Sequence, residues 1–142
     1  MKNITFLFTH HISITLFIIS LPFNACLIEG NSANSFMLLI SGWVGIIVGG
    51  ANMVWLANPL VFISWILSTY RCYTFAAIFG FAASGFAFSF LFFHGLMTGE
   101  DMAIRPITSY LPGYWLWLLS CMSAFLSNVI FSFHKPKQTN IL

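Results

Sequence analysis

Charge is so scarce in this 142-residue chain that the positions of five basic and three acidic residues constrain its fold more than anything else. They are Lys2, Glu29, Arg71, Glu100, Asp101, Arg105, Lys135 and Lys137, and each lies at a terminus or in a break between long apolar runs. Charged residues make up 6% of the chain and hydrophobic ones 59%, whereas a soluble domain carries about 25% charge. A soluble fold of this composition would expose large apolar patches and aggregate. Lipid must therefore cover much of the surface. The expectation is an all-α integral membrane protein in a single domain over residues 1–142.

Apolar runs occupy 4–21, 36–50, 51–70, 74–93 and 113–133. A spanning helix needs about 20 apolar residues to cross about 30 Å of hydrocarbon. The stretch 36–70 would be about 52 Å long as one helix, too long for one crossing and short for two. Basic residues favour the cytoplasmic side of short loops. Four spans, at 4–21, 51–70, 74–93 and 113–133, put Lys2, Arg71, Lys135 and Lys137 inside and leave only Arg105 outside. Five spans would force one terminal basic group across. The reading is thus four transmembrane helices with both termini cytoplasmic, plus a non-spanning helix at 36–50, interfacial or re-entrant on the outer side. Aromatic belts agree, with Tyr110, Tyr114, Trp115 and Trp117 outside and Tyr70 and Tyr73 inside.

The first run is read as a retained anchor. His10 and His11 interrupt its apolar core, and Phe23-Asn24 stand before Cys26 where a lipoprotein-type signal would have small residues. Cys26, Cys72 and Cys121 are scattered, with no metal-ligand spacing. There is no Walker loop, G-x-S-x-G or H-E-x-x-H. A net charge of +2 does not point to nucleic acid.

Polar residues within apolar runs are the candidate functional groups. His10 and His11 are costly inside a membrane and could serve a proton relay or a haem, although an interhelical hydrogen bond suffices to explain them. Asn52, Trp55 and Asn58 recur at intervals of three and share a broad helical face. Asn58-Pro59 should kink its span, because proline removes a backbone donor. Broken helices are where transporters hold substrates, so Asn52, Asn58, Pro59, His10 and His11 are the ligand or permeation candidates. Ala76, Gly80 and Ser84 form a small-residue face, and Gly45 and Gly49 repeat the spacing, both suited to close helix packing. Glu100 and Asp101 belong to an outer loop, 94–112, stiffened by Pro106 and Pro112. No catalytic set, cofactor or metal is expected.

The segments Ser41-Gly42-Trp43, Trp55-Leu56-Ala57-Asn58-Pro59-Leu60 and Leu111-Pro112-Gly113-Tyr114-Trp115-Leu116-Trp117-Leu118 are together similar to a pattern in small, functionally uncharacterised bacterial inner-membrane proteins. The resemblance covers roughly residues 36–120 and implies a bacterial multi-span protein, with no activity attached. The functional expectation is a non-enzymatic inner-membrane protein that contacts membrane partners through its helices, as an accessory subunit or immunity-type protein. The alternative is a small homo-oligomeric transporter or channel that uses the Asn58-Pro59 break.

Overall fold

The computed structural model describes residues 2–98 and 103–133, with side chains from His11 onward except those of Val48 and Thr98. The side chains of Lys2 and His10, and all of Glu100, Asp101, Lys135 and Lys137, lie outside that description. In chain order the elements are α1 (Lys2–Ser20), β1 (Asn24–Ile28), β2 (Asn31–Asn34), α2 (Ser35–Ser41), α3 (Gly45–Val48), α4 (Ala57–Thr69), α5 (Tyr73–Ser89), β3 (Gly95–Thr98), β4 (Ala103–Tyr110) and α6 (Pro112–Phe133). Short 3-10 segments join them at Gly42–Val44, Gly50–Leu56 and Phe90–Phe92.

The expected all-α, four-span architecture is wrong on two counts. First, the segments read as outer loops form a four-stranded antiparallel sheet in the order β2-β1-β4-β3. Second, among the described residues three helical stretches are long and apolar enough to cross a membrane: Gly50–Thr69, Tyr73–Phe92 and Pro112–Phe133. In α1, which runs Lys2–Ser20, the described apolar portion is His11–Ser20.

The sheet has a local and a long-range cause. Glu29 (φ 50) and Gly30 (φ 80) make the two-residue turn of the β1–β2 hairpin, since positive φ at both central positions matches the twist of the flanking strands. The long-range cause is backbone satisfaction, because chain lying against a bundle end must pair its N–H and C=O groups. The residues of β4 therefore divide between two partner strands, Ala103–Pro106 with one and Ile107, Ser109 and Tyr110 with the other. The first half of β4 pairs with β3, Ala103 with Thr98 through Pro106 with Gly95. The second half pairs with β1, Ile107 with Ile28 and Tyr110 with Cys26. Pro106, which lacks a donor, falls at the changeover, where proline does least damage.

Helix packing at the other end uses small and polar groups. Ala76 and Gly80 are buried on α5. A methyl group at Gly80 would sit 2.9 Å from the Phe125 Cα, so α5 and α6 approach backbone to backbone there. Ser64 Oγ of α4 donates to Ala76 O at 2.7 Å, and Asn128 Nδ2 of α6 donates to Ser64 Oγ at 3.3 Å. One serine thus ties three helices together. Ser84 is half-buried and donates back to Gly80 O in its own helix.

The run 36–50 turns back on the next segment. Gly49 (φ 80) and Gly50 (φ 62) supply a left-handed reversal that side chains resist. On either side of it, Gly45 lies against Asn52 and Gly42 lies against the Trp55 ring. The Trp55 indole N–H closes this helical hairpin by donating to Leu39 O at 2.9 Å.

Candidate functional site

The chain from Gly50 to Leu56 is 3-10 helix, and it changes to α-helix at Ala57. A 3-10 helix has three residues per turn, so side chains three apart eclipse one another. Asn52, Trp55 and Asn58 therefore stack along one side, where an α-helix would have spread them by about 60° per step. Pro59 occupies the first turn of α4, where its missing N–H breaks no helical bond. The expected mid-span kink is a change of helix type at this point.

That side of the segment faces a chamber of about 380 Å³. Its walls come from the α2–α3 hairpin, the 3-10 segment, Leu96 and Met97 of β3, Phe90 after α5, and the first turns of α6. Each functional side chain is held from behind. Asn52 Nδ2 donates to Met97 O at 3.2 Å and so ties the segment to the sheet. Trp117 Nε1 donates to Asn58 Oδ1 at 2.8 Å. Tyr114, 2% exposed, donates its hydroxyl to Ala87 O at 3.0 Å.

The Trp117 bond settles the orientation of Asn58. An indole N–H only donates, so the amide oxygen must face it. Nδ2 then points elsewhere, and among the described residues no acceptor takes it up, although Asn58 is only 6% exposed. Ser35 Oγ is buried on the same chamber wall, likewise without a hydrogen-bond partner among the described residues. A buried polar atom such as Ser35 Oγ left without a hydrogen bond costs about 1–3 kcal/mol. Among the described residues the wall carries no Asp, Glu, Lys, Arg, His or Cys side chain.

Of the residues singled out from the sequence, Asn52 and Asn58 line this chamber, as does Gly45. Pro59 lies beside it in α4. Gly49 makes the hairpin reversal, and Ala76, Gly80 and Ser84 lie along α5 away from the wall. His11 is exposed on α1, away from the chamber, and the His10 side chain is outside the described residues. Among the described residues, no three His, Cys, Asp or Glu groups come together to hold a metal. Arg105 makes a 3.3 Å ion pair with Glu29 on the sheet.

Sequence reasoning missed Ser35, Tyr114 and Trp117 as wall residues. Tyr114 and Trp117 read as interfacial aromatics, yet their polar tips point to a backbone carbonyl and an amide. The one available signal was their spacing of three beside Gly113, which puts both near one side of a helix start. Comparison with protein-family models, curated proteins and solved structures finds no match.

Proposed function

We propose that this is a non-enzymatic protein of a bacterial inner membrane that works by binding a small molecule in the chamber beneath its sheet. The observation that carries the reading is the chamber itself. It is of a size that small-molecule sites occupy, about 300–1,000 Å³, and it combines apolar walls with buried polar groups that have bonding capacity to spare. Acid–base or nucleophilic chemistry would call for a carboxylate, imidazole or thiol in that wall, and its residue types suit recognition better. The three long apolar helices support membrane residence. Positive-inside bias favours the Arg71 turn and the Lys135/Lys137 tail on the cytoplasmic side, with the sheet outside.

Action through a membrane partner needs a different surface from the one first considered. Ala76 and Gly80 are already used between α4, α5 and α6, so a Gly80→Leu variant would disturb the fold before it tested any partner.

The experiment is to fill the chamber. Ala51 lines it and is buried, so Ala51→Phe should abolish ligand-induced changes in tryptophan fluorescence, reported by Trp55 and Trp117, while thermal unfolding stays cooperative. Unchanged responses in that folded variant would refute the chamber as the site. A second reading, transport by a homo-oligomer, rests on the seven-residue 3-10 run, which is longer than the three or four residues usual for that helix and suits a hinge. Liposome flux that is lost in Asn58→Leu would support it, and no flux in the wild type would end it.

A further inference from the structure

We infer that the ligand is a neutral, mainly apolar molecule carrying a carbonyl oxygen, held by hydrogen bonds from Asn58 Nδ2 and Ser35 Oγ. The inference rests on the chamber being a binding site, and goes on to the chemistry of what it binds. Four observations carry it. Among the described residues the wall has no ionised side chain, so a charged ligand would be desolvated there without a counter-ion, which is far costlier than burying a neutral group. Trp117 holds the Asn58 oxygen and thereby presents its NH2 as a pure donor. Ser35 adds a hydroxyl with no partner in the described fold. The other polar tips on the wall already donate to backbone: Trp55 to Leu39 O, Tyr114 to Ala87 O and Asn52 to Met97 O. Asn58 Nδ2 can only donate and Ser35 Oγ can donate as well, so a carbonyl oxygen with two lone pairs can accept from both groups at once. Leucine, valine and phenylalanine side chains on the remaining wall suit a hydrocarbon body.

A carbonyl of this kind could belong to a free small ester or ketone, or to the acyl ester of a membrane lipid. Both sources are tested with brominated probes, which quench nearby tryptophan, on the full chain in detergent micelles. The probes are methyl 10-bromodecanoate, the same chain without a carbonyl (1-bromodecane), the charged acid (10-bromodecanoate), and a phosphatidylcholine with brominated acyl chains. Methyl bromodecanoate should quench saturably and be displaced by unbrominated methyl decanoate, and 1-bromodecane and the acid should bind at least several-fold more weakly. Stronger, saturable quenching by the lipid identifies the bilayer as the source, and preference for the methyl ester identifies a free molecule.

Ser35→Ala is the decisive variant, because it removes a group that bonds nothing in the described fold. It should weaken the ester by about threefold to tenfold, the worth of one hydrogen bond, and leave 1-bromodecane unchanged. Asn58→Leu should do the same, with Ser35→Ala as the safeguard should loss of the Trp117 contact disturb folding. Equal affinity of ester and bromodecane would overturn the carbonyl assignment while sparing the chamber. Failure of every probe to quench saturably would overturn the binding reading too, and leave water as the partner of Asn58 and Ser35.

Discussion

Ser13 and Ser120 hydrogen-bond each other's backbone reciprocally: Ser13 Oγ donates to Ser120 O, and Ser120 Oγ to Ser13 O, both at 2.8 Å. Both serines are fully buried, so α1 is fastened to α6 through its polar groups. Ser13 Oγ also accepts from Trp65 Nε1 of α4 at 3.0 Å. Phe17, one turn further along α1, meets the Trp65 ring edge-on with centroids 5.4 Å apart. Three hydrogen bonds and one aromatic contact thus join three helices across 107 residues of sequence.

Ser13→Ala should destabilise the fold by about 1–2 kcal/mol, because it removes a bond and orphans the Trp65 donor. In a Trp65→Phe background the same change should cost less, since no donor is left stranded. The difference is a coupling energy, measured by unfolding in mixed micelles as a double-mutant cycle. Strict additivity would show that Trp65 and Ser13 do not depend on each other.

Gly80 and Gly85 lie on the same helix and should respond oppositely to alanine. A methyl group at Gly80 meets the Phe125 backbone at 2.9–3.1 Å, whereas one at Gly85 meets nothing within 4 Å. Gly80→Ala should cost about 1–3 kcal/mol by forcing α5 from α6. Gly85→Ala should stabilise by about 0.5–1 kcal/mol through helix propensity. Thermal midpoints of the two variants, compared side by side, decide; equal shifts would contradict the close approach.

Arg71 is held at φ 60 in the α4–α5 turn, a left-handed conformation unfavourable to a side chain. Arg71→Gly should raise stability by about 1 kcal/mol. The same residue carries the orientation proposed above, so the variant should also weaken topological bias in a reporter-fusion assay. A lower melting temperature in Arg71→Gly would mean that its side chain repays the strain.

The cysteines separate by exposure and by pH. Cys72 is exposed next to Arg71, while Cys26 and Cys121 are buried. An impermeant maleimide should label Cys72 quickly in inverted vesicles and slowly in right-side-out ones, and the reverse pattern would invert the topology. Burial pushes the Cys26 thiol from 9.0 up to about 11, and burial, followed by the nearby Cys26 charge, raises Tyr110, its register partner. A raised acid pKa means that the folded state keeps protons the unfolded chain has lost. Stability from Cys26 is therefore whole below pH 9 and drains away as pH rises towards 11. The melting temperature should fall over that window, and less so in Cys26→Ala.

Legibility in the sequence followed the range of the interaction. The apolar runs at 51–70, 74–93 and 113–133 coincide with long helices because hydrophobic length is a local property, written residue by residue. The sheet was not legible. Its hairpin turn is Glu29-Gly30, a weaker signal than Asn-Gly, and β4 contains Pro106 and exchanges partners midway. Pairing between residues about 80 apart leaves no periodic trace in either strand.

The sequence by itself determined apolar runs long enough to cross a membrane, with the charges confined to the breaks between them and Asn52, Trp55 and Asn58 marked at intervals of three. Tertiary structure decided what those marks do. Only the 3-10 geometry of Gly50–Leu56 stacks the three side chains, and only the approach of α6 brings Trp117 to fix Asn58's oxygen and free its nitrogen. Hydrophobic burial depends on how much apolar surface a segment owns, which composition reveals. The direction of an amide depends on which distant donor arrives beside it, and that is settled only when the helices pack.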